Sequence, residues 1–222
     1  MTSYYTYQRR EIQPLLPKAA TNILEIGAAT GQTLRWLKTI YPSAITTGVE
    51  LNDALAGELS QNADVAIIGN INECHTRLKK YDLILLLDVL EHLIDPANLL
   101  RTVRQLLETG GQVIVSVPNI AHLSVTIPLL FGRRFTYQDA GILDRTHLRF
   151  FVEDTAIKLL NDANFHVTNG LITGLKGHKA NIIDRLSFGL FRHHLAYQYI
   201  MLGELSDGEI VQQQPVNWIV AE

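Results

Sequence analysis

Two groups of side chains in this sequence have the types and spacing to do chemistry. In the first, Glu25 precedes Gly27 and Gly31 in a short glycine-bearing stretch, and Glu50 closes the next apolar run. In the second, Asp88, Glu91 and His92 stand at i, i+3 and i+4, with His122, Asp144 and His147 downstream. A turn with so little side chain lets a ligand approach the backbone closely. An acid closing the neighbouring strand can accept hydrogen bonds from both hydroxyls of a ribose. An imidazole can take the proton that an oxygen acceptor sheds as it attacks an electrophile. If a helical turn begins at Asp88, then Asp88, Glu91 and His92 share one face. With His147 they would form a carboxylate–imidazole set for a divalent ion.

The glycine spacing narrows the ligand. A dinucleotide fingerprint needs glycines at 27, 29 and 32, where this chain has Gly27, Ala29 and Gln32. The pattern present is E-x-G-x-x-x-G, with Glu25 inside the apolar strand. A carboxylate beside a helix N-terminus repels a pyrophosphate but welcomes an ammonium. No G-K-[ST] follows the turn, so a phosphate-gripping loop is absent. S-adenosylmethionine, with an ammonium, a sulfonium and a ribose, meets these requirements.

With these residues in view, the chain resembles the class I S-adenosylmethionine-dependent methyltransferases. The matching segments, in order, are Glu25–Gly31, Gly48–Glu50, Gly69–Ile71, Tyr81–Leu93 with its Asp-Val-Leu-Glu-His, and Gly110–Asn119. Gly141-Ile-Leu-Asp-Arg-Thr-His-Leu-Arg-Phe-Phe151 is similar to a narrower set: methionine-biosynthesis protein W and methyltransferases of surface-polysaccharide pathways. The resemblance implies that Gly27, Ala28 and Gly31 lie under the methionine part of the cofactor. It implies that Glu25 orients the ammonium and Glu50 holds the ribose. It places the adenine between Leu51 and Ile71, with Asn70 at its edge, and Asp88 and Val89 beside the cofactor. His147 is the first candidate base because Asp144-Arg-Thr-His belongs to the narrower likeness; Asp144, His122 and His92 are further candidates. Arg145 and Arg149 could hold an anionic acceptor. Ubiquinone-pathway O-methyltransferases and small-RNA 3′-terminal methyltransferases look similar around Asp88, Glu91, His92 and His147, which leaves a divalent metal open. The departures from the family pattern are Ala29 for a glycine, Asn70 for an acid, and Val152 for a capping threonine, with Asp154 expected to cap instead.

The expected function is methyl transfer from S-adenosyl-L-methionine, leaving S-adenosyl-L-homocysteine, to the oxygen of a small-molecule or saccharide-like acceptor. The alternative is a methyltransferase-fold protein that binds the cofactor in a regulatory or scaffold role. A nicotinamide-dependent oxidoreductase is disfavoured by the glycine spacing.

The elements that must position these groups read as α/β. Near-continuous apolar runs at Ile23–Ile26, Ile45–Glu50, Val65–Gly69, Leu83–Asp88 and Val113–Val117 suit a parallel sheet covered on both faces. Helices between them imply a doubly wound, mostly parallel Rossmann-like sheet. Seven strands are expected, with Phe165–Thr173 followed by an antiparallel last strand in Pro215–Glu222. The spacing also predicts an N-terminal helix within residues 1–20, a substrate-side insertion at 119–150, and a helix at Ile182–Leu205. That last helix, within a 175–214 segment, would serve as a lid or a homodimer interface. Residues 1–222 are expected to form one domain.

Composition sets the outer bounds. The 222 residues are 47% hydrophobic and 18% charged, which suits a globule with a sizeable core. A formal charge of −3 gives no reason to expect nucleic-acid binding. The single cysteine, Cys74, excludes an internal disulfide or a cysteine-rich zinc cluster. The first ten residues lack the apolar stretch of a signal peptide, and no run is long enough to span a membrane. A cytoplasmic location is therefore expected.

Overall fold

The computed structural model describes residues 7–175, 184, 186, 191–206, 213 and 215–221. Its strands are β1 (Asn22–Ile26), β2 (Ile45–Glu50), β3 (Val65–Ile68), β4 (Tyr81–Leu87), β5 (Leu107–Pro118), β6 (Phe165–Thr173), β7 (Gln198–Leu205) and β8 (Asn217–Val220). They form one sheet in the order β3-β2-β1-β4-β5-β7-β6-β8. The parallel pairs β1–β2 and β1–β4 lie where the strand order reverses, so the carboxyl ends of β1 and β4 open a crevice between them.

The apolar runs form strands because both faces are covered. Leu83, Ile84, Leu85 and Leu86 of β4 are all fully buried. On one face Ile84, Leu86, Val113 and Val115 pack with Leu99, Leu100 and Val103 of a helix at Pro96–Leu106. On the other, Ile23, Leu83, Leu85 and Ile114 pack with Leu34 and Leu37 of a helix at Gln32–Ile40 and with Ile12 and Leu15. In chain order the helices are α1 (Gln32–Ile40), α2 (Ala56–Asn62), α3 (Ile71–Cys74), α4 (Pro96–Leu106), α5 (Leu123–Gly132), α6 (Glu153–Asp162) and α7 (Arg192–Leu195). Asp95 caps α4 by accepting the Asn98 N–H at 3.0 Å, and Pro96 occupies its first turn. At α6 the Val152 N–H donates to Thr155 Oγ1 at 3.0 Å, so Thr155, not Asp154, supplies the local cap.

The C-terminal third corrects the sequence reading. The sheet has eight strands, and the antiparallel one is β7, which runs against both β5 and β6. The final strand, β8, is parallel to β6. Gln198–Leu205 had the apolar density of a buried helix, but Tyr199, Ile200 and Met201 are enclosed in a strand between two others. Length and apolarity alone do not separate these two states. That part of 182–205 cannot be an exposed dimer face; most of 176–190 and 207–214 lies outside the described residues. At the N-terminus, the described part of the expected helix is a 3₁₀ turn at Arg10–Leu15 containing Pro14. Proline removes a helix donor, which favours this shorter element. β5 starts at Leu107, directly after α4, and not at Val113; Gly110 sustains φ +78° within it.

Beside the strand pairing, one close side-chain contact packs the β6–β8 edge. A Cβ on Gly170 would lie 2.3 Å from the Trp218 ring, whose indole N–H donates to Glu153 at 2.7 Å. Gly170→Ala is expected to displace that ring and cost about 1–3 kcal/mol. A thermal melt lowered by several degrees, with altered tryptophan fluorescence, would register the change; an unaltered melt would show that the edge repacks freely.

Candidate active site

The crevice has a volume of about 870 Å³. The turn after β1 forms its floor. Gly27, Ala29 and Gly31 hold φ of +75°, +48° and +75°, so the chain reverses sharply and reaches α1 through Gly31. A side chain at Gly27 would collide with Val89 at 2.8 Å, which explains the glycine. Glu50 ties the turn down: Oε2 accepts the Ala29 N–H at 2.8 Å and Oε1 the Asn52 N–H at 2.9 Å.

Glu25 is 4% exposed and its Oε2 has no hydrogen-bond partner. Burial, reinforced by nearby Glu50 and opposed by Arg9, pushes its carboxyl up to about 8. A buried acceptor with nothing to accept, on the crevice wall, is chemically unfinished.

Asp88 occupies the strained φ of +58° just past β4. Its backbone N–H donates to Ser116 Oγ at 2.9 Å, and that hydroxyl donates back to Oδ1 at 2.8 Å. Gln198 Nε2 donates to the same oxygen. Arg9 Nη1 pairs with Oδ2 at 2.7 Å, while Nη2 reaches Ser116 at 3.2 Å and Gln198 at 3.0 Å. Arg9 is buried, and its charge is locked in by Asp88 and Glu11 despite desolvation. Sequence reasoning gave Arg9 no role in the site and missed Thr33 and Gln32, which also line the crevice.

Residues between β5 and α6, together with His92, supply a second group of polar side chains to the crevice. Asp144 accepts the Thr146 N–H at 2.8 Å and hydroxyl at 2.7 Å, which outweigh partial burial and hold its carboxyl below the ordinary range. Thr146 Oγ1, having donated to Asp144, can accept from His92 Nδ1 at 3.1 Å. This chain of bonds fixes a proton on His92 Nδ1 and leaves the Nε2 lone pair free. His147 packs edge-on against His92, ring centroids 4.8 Å apart, and its own Nδ1 meets the Ile142 carbonyl at 3.0 Å. Burial pushes the His147 imidazole below its ordinary value. Glu91 is 1% exposed; burial and the Asp88 charge push its carboxyl well up, and Oε2 has no partner. Ligand atoms of Glu91, His92 and His147 lie within 4.8 Å of one another.

Of the residues expected at the cofactor, Glu25, Gly27, Ala28, Glu50, Asp88 and Val89 line the crevice. Gly31, Leu51, Asn70 and Ile71 stand outside that lining. Leu51 is largely exposed, Ile71 is buried, and Asn70 caps α3 through its Oδ1 and the Asn72 N–H at 3.0 Å. Among the candidate bases Asp144 and His92 line the crevice; His147 sits behind His92. His122 instead caps α5, its Nδ1 accepting the Ser124 N–H at 3.1 Å. Arg145 lines the crevice, while Arg149 is tied to the Ile94 carbonyl at 2.5 Å.

A glycine-floored crevice at the switch point of this sheet defines a nucleoside-cofactor enzyme of the Rossmann-like class. The chain belongs to the methyltransferase-domain family, whose model matches residues 3–169, and is a class I S-adenosylmethionine-dependent methyltransferase. Its fold is similar to that of a SAM-dependent methyltransferase from Archaeoglobus fulgidus: TM-score 0.65, 16% identity, 88% of this chain and 91% of that one. It is similar to one from Mesorhizobium loti at TM-score 0.60, 16% identity, with 87% and 95% covered. A TehB-like enzyme from Corynebacterium glutamicum gives TM-score 0.55, 12% identity, with 89% and 86% covered. A search of curated proteins found no match. No helix among the described residues is long and apolar enough to cross a membrane.

Proposed function

We propose that this methyltransferase acts on the oxygen of a small or saccharide-like acceptor, with Glu25 binding the cofactor ammonium and His92 removing the acceptor proton. The observation that carries the reading is the unpartnered, buried Glu25 carboxyl on a crevice wall that also holds the His92–Thr146–Asp144 chain. An ammonium would satisfy Glu25, and the Glu50 carboxylate is positioned for ribose hydroxyls at the turn it braces. The sulfonium activates the methyl carbon, so the protein's task is alignment and proton removal. His92, held by Thr146 and Asp144, offers its Nε2 as base; Arg145 on the same wall suits an acceptor with an anionic substituent.

Titration with S-adenosyl-L-homocysteine tests the cofactor half: saturable binding well below about millimolar is expected, and none at that level would overturn it. Product formation across sugars, nucleotide sugars and small hydroxylated acids tests the rest. His92→Asn is expected to lower kcat by roughly 10²–10⁴ while leaving homocysteine-nucleoside affinity intact; unchanged kcat would remove His92 from the reaction. Binding without product across the whole panel would favour a regulatory role.

A second reading rests on Glu91. Its unpartnered Oε2, beside two imidazoles whose Nδ1 atoms are both occupied, is a donor set suited to a divalent cation. Glu91, His92 and His147 would hold the ion, which would polarise an acceptor hydroxyl and lower its pKa. His92 would then be a ligand and not the base.

A further inference from the structure

The least explained surface lies outside the crevice. α5 reads Leu-Ser-Val-Thr-Ile-Pro-Leu-Leu-Phe-Gly, and Val125 is its buried side chain. A surface helix ordinarily turns a polar face to water; α5 has almost none. Ile127 is 48% exposed, Leu129 47%, Leu130 73% and Phe131 81%. The chain then continues through Arg133, Arg134, Phe135 and Tyr137, all exposed. A contiguous apolar patch of this kind marks a binding surface.

We propose that α5 and residues 133–137 form a docking surface for an anionic phospholipid bilayer. Charge selects this occupant. Between Leu123 and Gln138 there is no acidic residue, and Arg133 and Arg134 follow Phe131, the most exposed large apolar side chain among the described residues, with Gly132 between. Neither arginine makes an ion pair among the described residues, so both guanidiniums are available to phosphate. Phe135 and Tyr137, in edge-to-face contact, are the residue types that settle at the headgroup level. A second copy meeting this patch about a two-fold axis would bring two more arginines to an interface whose 123–138 segments offer no acid to pair them. Ten residues of helix reach about 15 Å, half the hydrocarbon thickness, so α5 would lie in the interface rather than span it. The same segment runs on to Asp139 and Ala140 of the crevice lining, so docking would bring that part of the crevice close to the lipid surface.

Vesicle flotation tests this. The full chain is expected to float with phosphatidylcholine vesicles containing about a quarter phosphatidylglycerol, and to stay behind with phosphatidylcholine alone. Leu130→Ser with Phe131→Ser is expected to cut binding at least about tenfold. Arg133→Gln with Arg134→Gln should abolish the preference for the anionic lipid. Thermal melts and homocysteine-nucleoside titration, unchanged in both variants, certify that the fold and cofactor site survive. No flotation with anionic vesicles, or flotation indifferent to both variants, would overturn the proposal. So would a dimer in sedimentation that dissociates with Leu130→Ser and Phe131→Ser, which would assign the patch to a second copy.

Discussion

Replacing Glu25 by glutamine is expected to stabilise the ligand-free protein and weaken its grip on S-adenosyl-L-homocysteine. The carboxyl titrates near 8 in the folded chain against an ordinary value of 4.5. Between those limits the folded state keeps a proton that the unfolded state has lost. Stability therefore falls as pH rises from about 4.5, and the full cost is present above about 8. At 1.36 kcal/mol per unit the upper bound is about 5 kcal/mol, and the buried amide that replaces the carboxyl lowers the net gain. Wild type and Glu25→Gln should melt alike near pH 4.5, with the variant several degrees higher at pH 8. Binding should move the other way. Losing a charge-assisted hydrogen bond of about 1.5–3 kcal/mol weakens affinity roughly ten- to a hundredfold. An ammonium binds the ionised carboxylate, so wild-type affinity should rise toward pH 8 and binding near neutrality should release a proton. Calorimetry in buffers of different ionisation heat measures that proton. An unshifted affinity in Glu25→Gln, with no proton released by the wild type, would place the ammonium elsewhere.

This opposition between stability and binding also shows what a sequence can and cannot disclose. Glu25 was legible because an acid inside an apolar strand before a glycine turn breaks the local pattern, and such breaks mark function. The parallel half of the sheet was legible for the same local reason: its strands are continuous apolar runs separated by turn residues. β7 was not. Its neighbours are β5 and β6, and a buried strand between two others carries the same unbroken apolarity as a buried helix. Once β7 was read as helix, the antiparallel polarity passed to the wrong segment, and β8 took a place that belonged to Gln198–Leu205. Arg9 was illegible because its partners Asp88, Ser116 and Gln198 come together only through the fold. The choice between His92 and His147 was likewise tertiary: both sit in the same cluster, and packing alone decides that His92 faces the crevice.

Glu91→Gln is expected to separate the two readings of that cluster. In the cation-free protein Glu91 is 1% exposed with one oxygen unpartnered, a costly state that an ion would relieve. The neutral variant should therefore melt higher than the wild type in the presence of a chelator. If Glu91, His92 and His147 hold a divalent ion, saturating it at about a hundred times Kd stabilises the wild type by about 2.7 kcal/mol. That is a melting shift of roughly 5–10 °C for a chain of this size. Magnesium, manganese and zinc, tested singly, should produce the shift in the wild type and little of it in Glu91→Gln. Turnover should then collapse with chelation and return with the ion. If no ion moves the wild-type melt and turnover ignores chelator, the cation reading fails. The unpartnered Glu91 then sits behind a metal-free base, His92, whose Nδ1 bond to Thr146 orients it. In that case Thr146→Val should lower kcat by cutting the hydroxyl link from His92 Nδ1 to Asp144 and leaving Nδ1 only the Thr146 carbonyl at 3.3 Å, while cofactor affinity stays where it was.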